Sequence, residues 1–432
     1  MIRRITNILQ FHRWRAVHGL SNGAIEGWQR KRLCDLVWHA YCNVPLYRFL
    51  WREFGSEPSV LFAAFSALPV ITKKDFMVRP AEEYLDASRP IVWRWRRTSG
   101  TTGEPFRFLS AVFPLPEQYS DFSLYRFLTW RGIPFRRIRE RMRIVRIKVR
   151  SLQTQNRLFI PVEELLRDPQ DAVSRIKNFS ADVIESYPSL LFEVGRVYAA
   201  LGSARPLARF AVSYGENLSV PQRAFIEDTL RCEVYDRYGL EEFGALGVEC
   251  RYHDGFHLNS ESFVLEILDE RGKSVSDGTR GRIVITDLFN FTMPFIRYDT
   301  GDFGVVAGRT CRCGLQGTRF KVEGRSAAFL EFGSKKVHHL EIDGVLDDFA
   351  GSVLQYQARK VSASTLVVDI VPFSVLGEDL AREIKQRISA LVGPAVHVEV
   401  RSVGAVSRLP VGKCQIVRDE IAELWNAAEP MA

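Results

Sequence analysis

Up to about residue 90 the apolar positions recur at helical spacing and are cut by turns: Leu33 to Tyr41 carries the clearest stripe, and Asn43-Val44-Pro45 breaks it. A helical N-terminal cap is expected there. From about 90 to 325 the pattern changes to short apolar runs, Ile91 to Trp95, Val183 to Ser186, Phe210 to Ser213, Phe263 to Leu268 and Arg282 to Thr286, alternating with helical stretches. That alternation predicts an α/β domain. After Gly324-Arg325 the pattern restarts on a smaller scale, with strands near Gln355 to Val361, Thr365 to Val371 and Val396 to Arg401 around a helix near Gly377 to Leu391. The expected organisation is a large α/β domain over residues 1–324 and a small α+β lid over 325–432.

Composition adds exclusions. At 46% hydrophobic and 25% charged residues, nothing asks for disorder or a fibrous form, and 432 residues exceed one ordinary domain. Arg3, Arg4, Arg13 and Arg15 interrupt the first twenty residues, so no secretory leader is expected, and no apolar run is long enough to span a bilayer. The 7 cysteines are odd in number and sparse, which fits a reducing cytoplasm better than a disulfide framework. The net charge of +8 is concentrated where Arg131, Arg136, Arg137, Arg139, Arg141, Arg143, Arg146, Lys148 and Arg150 face only Glu140. This stretch reads either as a solvated face beside a strand or as a site for phosphates, an anionic saccharide or a membrane surface. Nucleic acid is not an expected partner, because aromatic platforms among basic residues are limited to Trp93 and Trp95.

Four stretches carry candidate chemistry. Thr98-Ser99-Gly100-Thr101-Thr102-Gly103-Glu104-Pro105 follows a strand-like run, and its glycines and small hydroxyls leave N–H groups free to wrap a phosphate; it lacks the terminal Gly-Lys-Ser/Thr of a Walker loop. Tyr238-Gly239-Leu240-Glu241-Glu242 sets paired carboxylates beside a glycine, one of which suits magnesium. Arg297 to Asp302 joins a strand-like run to a glycine turn, with Asp302 placed to accept from two vicinal ribose hydroxyls. Leu409-Pro410-Val411-Gly412-Lys413 puts a lysine on a loop from which it can meet developing negative charge. Separately, Cys250, His253, His257, Cys311 and Cys313 supply thiols and imidazoles for a four-coordinate zinc, with either histidine as the nitrogen ligand.

Taken in this order, the stretches resemble the adenylate-forming superfamily of acyl-CoA synthetases, most closely its phenylacetate-CoA ligase-like branch with the capsular polysaccharide proteins. Asn43 to Tyr47, Leu68 to Lys73 and Tyr187-Pro188-Ser189 echo that branch. The resemblance implies a large adenylate-forming domain with a mobile C-terminal lid, and AMP-forming ligation of a small-molecule or saccharide carboxylic acid. It implies catalytic roles for Lys413, Glu242 and Thr102. Nucleotide contacts would come from Thr98, Ser99, Gly100, Thr101, Thr102, Gly103, Gly215, Glu216, Tyr238, Gly239, Asp302 and Arg325, with magnesium on Glu242. Cys250, His257, Cys311 and Cys313 would hold structural zinc, His257 preferred over His253 because it follows Gly255-Phe256. ATP, Mg²⁺, Zn²⁺ and coenzyme A are the implied cofactors, and a homodimer is compatible. The runner-up acceptor is an amine, giving an amide on a uronic or similar acid, and a reading of another class is a nucleotide-binding relative without turnover. The sequence departs from the family at Glu104, where a lysine is usual, at Glu241, where Thr/Ser is usual, and at Ser326-Ala327-Ala328, which lacks the hinge's acidic pair.

Overall fold

The computed structural model describes residues 20–88, 93–98, 106–111, 142–149, 156–325, 329–349, 351–409 and 412–421. Among these, the chain groups into two compact units, one drawing on residues 1–139 and 237–326, the other on 140–236 and 327–432.

In the first unit the strands Phe263–Leu268, Gly281–Asp287, Tyr298–Thr310, Gln316–Arg325, Phe256–Leu258, Gly244–Glu249 and the second half of Glu233–Leu240 lie side by side in that order, each neighbour antiparallel. The alternation of strand and helix expected as far as residue 325 therefore stops near 236. Beyond it the strands are joined by turns, which antiparallel neighbours permit and parallel ones do not. The helix Asn22–Asn43, capped by the Ser21 hydroxyl, and the short helices Pro45–Leu50 and Lys73–Met77 pack onto this sheet. Pro45 ends the first helix by starting the next, since its fixed φ suits a first helical position and its missing N–H costs nothing there. Phe76 centres an aromatic cluster, its ring 5.4, 5.5 and 5.3 Å from those of Tyr84, Phe106 and Phe295. Arg297, in the stretch singled out for its turn, is committed to structure: buried at φ 51°, it pairs with Glu266 at 3.1 Å and donates to the Leu68 carbonyl.

The second unit begins with a parallel sheet in the order Arg157–Pro161, Ile144–Lys148, Ala181–Ser186, Ala208–Tyr214. The helices Pro169–Phe179, Pro188–Ala200 and Val220–Leu230 return the chain between strands and after the last of them, and Asp168 and Ser219 cap two of these by accepting from backbone N–H groups. Here part of the basic stretch turns inward. Arg146 lies opposite Glu185 on the neighbouring strand, and their side chains, 7% and 2% exposed, pair at 2.7 Å. Arg143 covers the Phe179 ring at 4.4 Å, while Arg131 to Arg141 and Arg150 lie outside the described residues. Arg146 is thus an internal counter-charge, which a surface docking site cannot use.

The C-terminal segment of this unit has a four-stranded sheet in the order His397–Ser402, Thr365–Pro372, Val353–Ser362, Val417–Asp419, with helices His339–Asp347 and Glu378–Val392. It keeps its own core, including Leu330, Val337, Ile342, Leu366, Val368, Ile384 and Ile388. Asp343 sits at its edge, 8% exposed, accepting from the Tyr356 hydroxyl. Burial pushes the Asp343 carboxyl up from 3.8 to about 6, aided by Asp347 and opposed by Tyr356. A carboxyl raised on folding contributes stability that is complete below about pH 4 and is lost as pH rises through about 6. Asp343→Asn, whose amide oxygen still accepts from Tyr356, is therefore expected to gain about 1–3 kcal/mol at pH 7.5 and close to nothing at pH 4. Denaturant melts at the two pH values check this, and a gain of equal size at both would contradict it.

Candidate active site and metal centre

Thr98 and Phe106 close the base of the phosphate-type loop: Thr98 N–H donates to the Phe106 carbonyl at 2.9 Å, and Phe106 N–H to the Thr98 hydroxyl at 3.0 Å. Ser99, Gly100, Thr101, Thr102 and Gly103 lie outside the described residues.

Elsewhere in the first unit, the Tyr238 hydroxyl donates to Asp302 at 2.5 Å, and Asp302 is only 4% exposed. Asp302 is presented by a glycine turn in which Gly301, at φ 74°, donates to Asp299 and Asp302 N–H to the Thr300 hydroxyl. Opposite Asp302 stands the backbone of Arg325. Gly239 is required where it is, because a Cβ there would lie 2.2 Å from the Gly244 carbonyl oxygen. That close approach forms the hairpin that separates the two adjacent glutamates. Glu241 is exposed and pairs with Arg96 at 3.4 Å, whereas Glu242 is half-buried and accepts from the Tyr298 hydroxyl at 3.1 Å. Glu242 is the inward carboxylate and the one suited to a metal ion; Tyr298, which orients it, was not recognised in the sequence.

In the second unit Lys413 is carried on a hairpin in which Arg408 and Cys414 pair as an antiparallel bridge. Its Nζ lies 3.2 Å from where a Cβ of Gly215 would stand and 5.5 Å from the centre of the Tyr187 ring. Gly215, at φ 77°, supplies both the left-handed turn after the strand Ala208–Tyr214 and the space that the lysine occupies. The Tyr187 and Tyr214 rings meet edge-on at 5.4 Å, and Lys148 Nζ lies 5.8 Å from the Tyr214 ring. The carboxyl ends of parallel strands, where open α/β sheets bind ligands, thus carry two aromatic rings and two ammonium groups. Glu216 accepts from Ser189 and from the Cys414 N–H, and burial raises its carboxyl above the usual range against those hydrogen bonds. Ser189 and Arg408, which reach this site, were missed as site residues; the echo at Tyr187-Pro188-Ser189 was the available signal.

The metal-type residues of the first unit converge. Cys250 follows the strand Gly244–Glu249, His257 lies in Phe256–Leu258, and Cys311 and Cys313 occupy the turn between Tyr298–Thr310 and Gln316–Arg325. Their ligand atoms all lie within 4.8 Å of one another, Cys250 Sγ and Cys311 Sγ at 3.7 Å, and Cys313 Sγ and His257 Nε2 at 3.5 Å. A tetrahedral centre with bonds of about 2.1–2.3 Å sets ligand atoms about 3.5–3.8 Å apart, so three thiols and one imidazole fit a closed metal site. Hydrogen bonds to Cys313 and His257 hold the Cys250 thiol far below the usual thiol range. His253 stands apart from the cluster, with φ 49° and Nδ1 3.1 Å from Glu249. Among the described residues no helix is long and apolar enough to cross a membrane.

No family model matches the chain. A phenylacetate-coenzyme A ligase from Aromatoleum evansii is 25% identical over 434 residues, covering 92% of this chain and 95% of the relative. One from Thermus thermophilus is 27% identical over 438 residues, covering 90% and 95%. A crystal structure of 2-hydroxyisobutyryl-CoA ligase in the postadenylation state shares the fold with a TM-score of 0.72 at 19% identity, over 95% of this chain and 93% of that one.

Proposed function

We propose that the chain is a phenylacetate-CoA ligase-like member of the adenylate-forming superfamily and, from that premise, that it is an AMP-forming acid–thiol ligase. The acid's carboxylate attacks the α-phosphorus of ATP, the bond to pyrophosphate breaks, and an acyl-adenylate forms. The thiol of coenzyme A then attacks the acyl carbon, AMP departs with the electrons of the acyl–oxygen bond, and the thiol proton passes to solvent.

Each residue has a distinct task in this reading. Lys413 offsets charge that grows on the carboxylate and α-phosphate oxygens. Asp302 receives ribose hydroxyls, with Tyr238 fixing its carboxylate through the 2.5 Å hydrogen bond. Gly215 lines the adenine side, and the loop from Thr98 through Thr102 to Gly103 takes the phosphates, with Arg325 near the ribose. Glu242 would hold magnesium, which neutralises phosphate oxygens when bound. Residues 325–432 act as the lid over the large domain of residues 1–324. Zinc on Cys250, His257, Cys311 and Cys313 would brace the antiparallel sheet and leave no open position for chemistry. ATP and coenzyme A as substrates fit a cytoplasmic enzyme.

The observation that carries this reading is Lys413, about 200 residues after Gly215 in sequence, reaching into the space left by the missing Gly215 side chain. The test is AMP release that requires acid, ATP and coenzyme A together, with phenylacetate first and then fatty, amino and uronic acids. Thioester formation with one acid class is expected. AMP release that ignores coenzyme A and requires an amine would replace the thioester reading with amide ligation.

A further inference from the structure

The peptide unit between Lys413 and Cys414 is held at both poles. Its carbonyl accepts from Leu409 N–H at 2.8 Å, and its N–H donates to Glu216 Oε1 at 2.5 Å. Glu216 is in turn fixed by Ser189, whose N–H reaches Oε2 and whose hydroxyl reaches Oε1, both at 3.0 Å. On the other arm of the same hairpin, Arg408 donates to the Ser189 hydroxyl at 2.5 Å, to the Ser189 carbonyl at 3.1 Å and to the Gly412 carbonyl at 3.3 Å. Ser189 is the second residue of the helix Pro188–Ala200, and the Pro at its first position fixes the entry backbone. Glu216, half-buried, thus holds the Cys414 arm directly, and Arg408 ties the other arm to the same serine that fixes Glu216.

We propose that Glu216, Ser189 and Arg408 form a latch that sets the direction of the Lys413 side chain, and that Glu216 serves adenylate formation as a positioning residue, through the Cys414 amide. This deepens the adenylation reading and rests on it for its kinetic consequence. Once the Lys413–Cys414 peptide plane is pinned, the lysine's Cα–Cβ bond is aimed before substrate arrives, so the ordering cost is met in the folded protein and not at the transition state. Charge-assisted hydrogen bonds are the stronger kind, and those to Glu216 join the hairpin to the parallel sheet.

Two readouts test this. Amide hydrogen exchange at Cys414 in the unliganded protein is expected to quicken about tenfold or more in Glu216→Ala and in Arg408→Ala, and less in Glu216→Gln, whose amide oxygen still accepts. In ATP–pyrophosphate exchange with phenylacetate as probe, Glu216→Ala is expected to lower kcat about 10–100-fold with the KM for ATP within about threefold, and Glu216→Gln to recover part of the loss. Unchanged Cys414 exchange in both alanine variants would overturn the latch. So would a raised KM for ATP with unchanged kcat, the signature of a plain adenine contact. Should the wild-type protein exchange no pyrophosphate with any acid, the ligase reading fails, and the amide measurement still decides the latch.

Discussion

Lys413→Ala is expected to slow acyl-adenylate formation by about 10²–10³-fold, the range seen when one preorganised donor to developing charge is removed. Its thermal midpoint should stay within about 2 °C of wild type, because the side chain is only half-buried and belongs to no hydrophobic core cluster. The geometry makes the converse test informative. In Gly215→Ala the new Cβ would lie 3.2 Å from Lys413 Nζ and 3.3 Å from the Tyr187 ring, at a φ of 77° that alanine tolerates poorly. That variant should lose activity by displacing the lysine, with a stability cost of about 1 kcal/mol. Lys413→Arg should not restore the rate, since a planar guanidinium is a poor substitute for a compact ammonium in so confined a space. Stopped-flow or isotope-exchange rates for the first half-reaction check all three. A Lys413→Ala variant with full activity would remove the lysine from the mechanism.

Cys313→Ser, or prolonged treatment with a strong chelator, is expected to remove about one zinc per chain and lower the thermal midpoint by about 10 °C or more. The size follows from the topology. Cys250 and His257 come from the hairpin on one side of Gln316–Arg325, and Cys311 and Cys313 from the turn that leads into that strand, so a bound metal would tie the two together. His253→Ala should keep its zinc, because that imidazole faces Glu249 at 3.1 Å and not the sulfurs. Elemental analysis with a thiol titration of the native protein checks the pair of variants. Zinc lost from His253→Ala, or all 7 thiols titrating freely in the untreated protein, would contradict the assignment.

How much was legible in the sequence depended on how local the determining physics was. The strand Phe263–Leu268 matches its apolar run residue for residue, Thr365–Pro372 differs from expectation by a residue at one end, and Glu378–Val392 by a residue at each end. Periodicity reports the burial of a single element, and in these elements burial is simple. The alternation of strands and helices held through Ala208–Tyr214 and failed beyond residue 236, because antiparallel strands separated by long turns leave the same spacing as strands separated by helices. Within the site, the pattern of motifs pointed to Lys413, Gly215, Asp302 and the cysteines. It could not foresee what leaves Glu242, to which the resemblance gave the metal, half-buried beside an exposed Glu241, since the Gly239–Gly244 contact makes that distinction. Nor could it find Arg408, whose partner Ser189 is 219 residues away. Arg146 shows the opposite failure: in a run of basic residues it reads as surface charge, and only the register against Glu185 reveals a buried pair.

The central claim, that this chain makes an acyl-adenylate, is tested most directly by acid-dependent exchange of labelled pyrophosphate into ATP with no coenzyme A present. The account predicts exchange with one class of carboxylic acid, no exchange without acid, and its loss in Lys413→Ala. Acid-dependent release of ADP and phosphate, or a complete absence of exchange across aryl, fatty, amino and uronic acids, would contradict it.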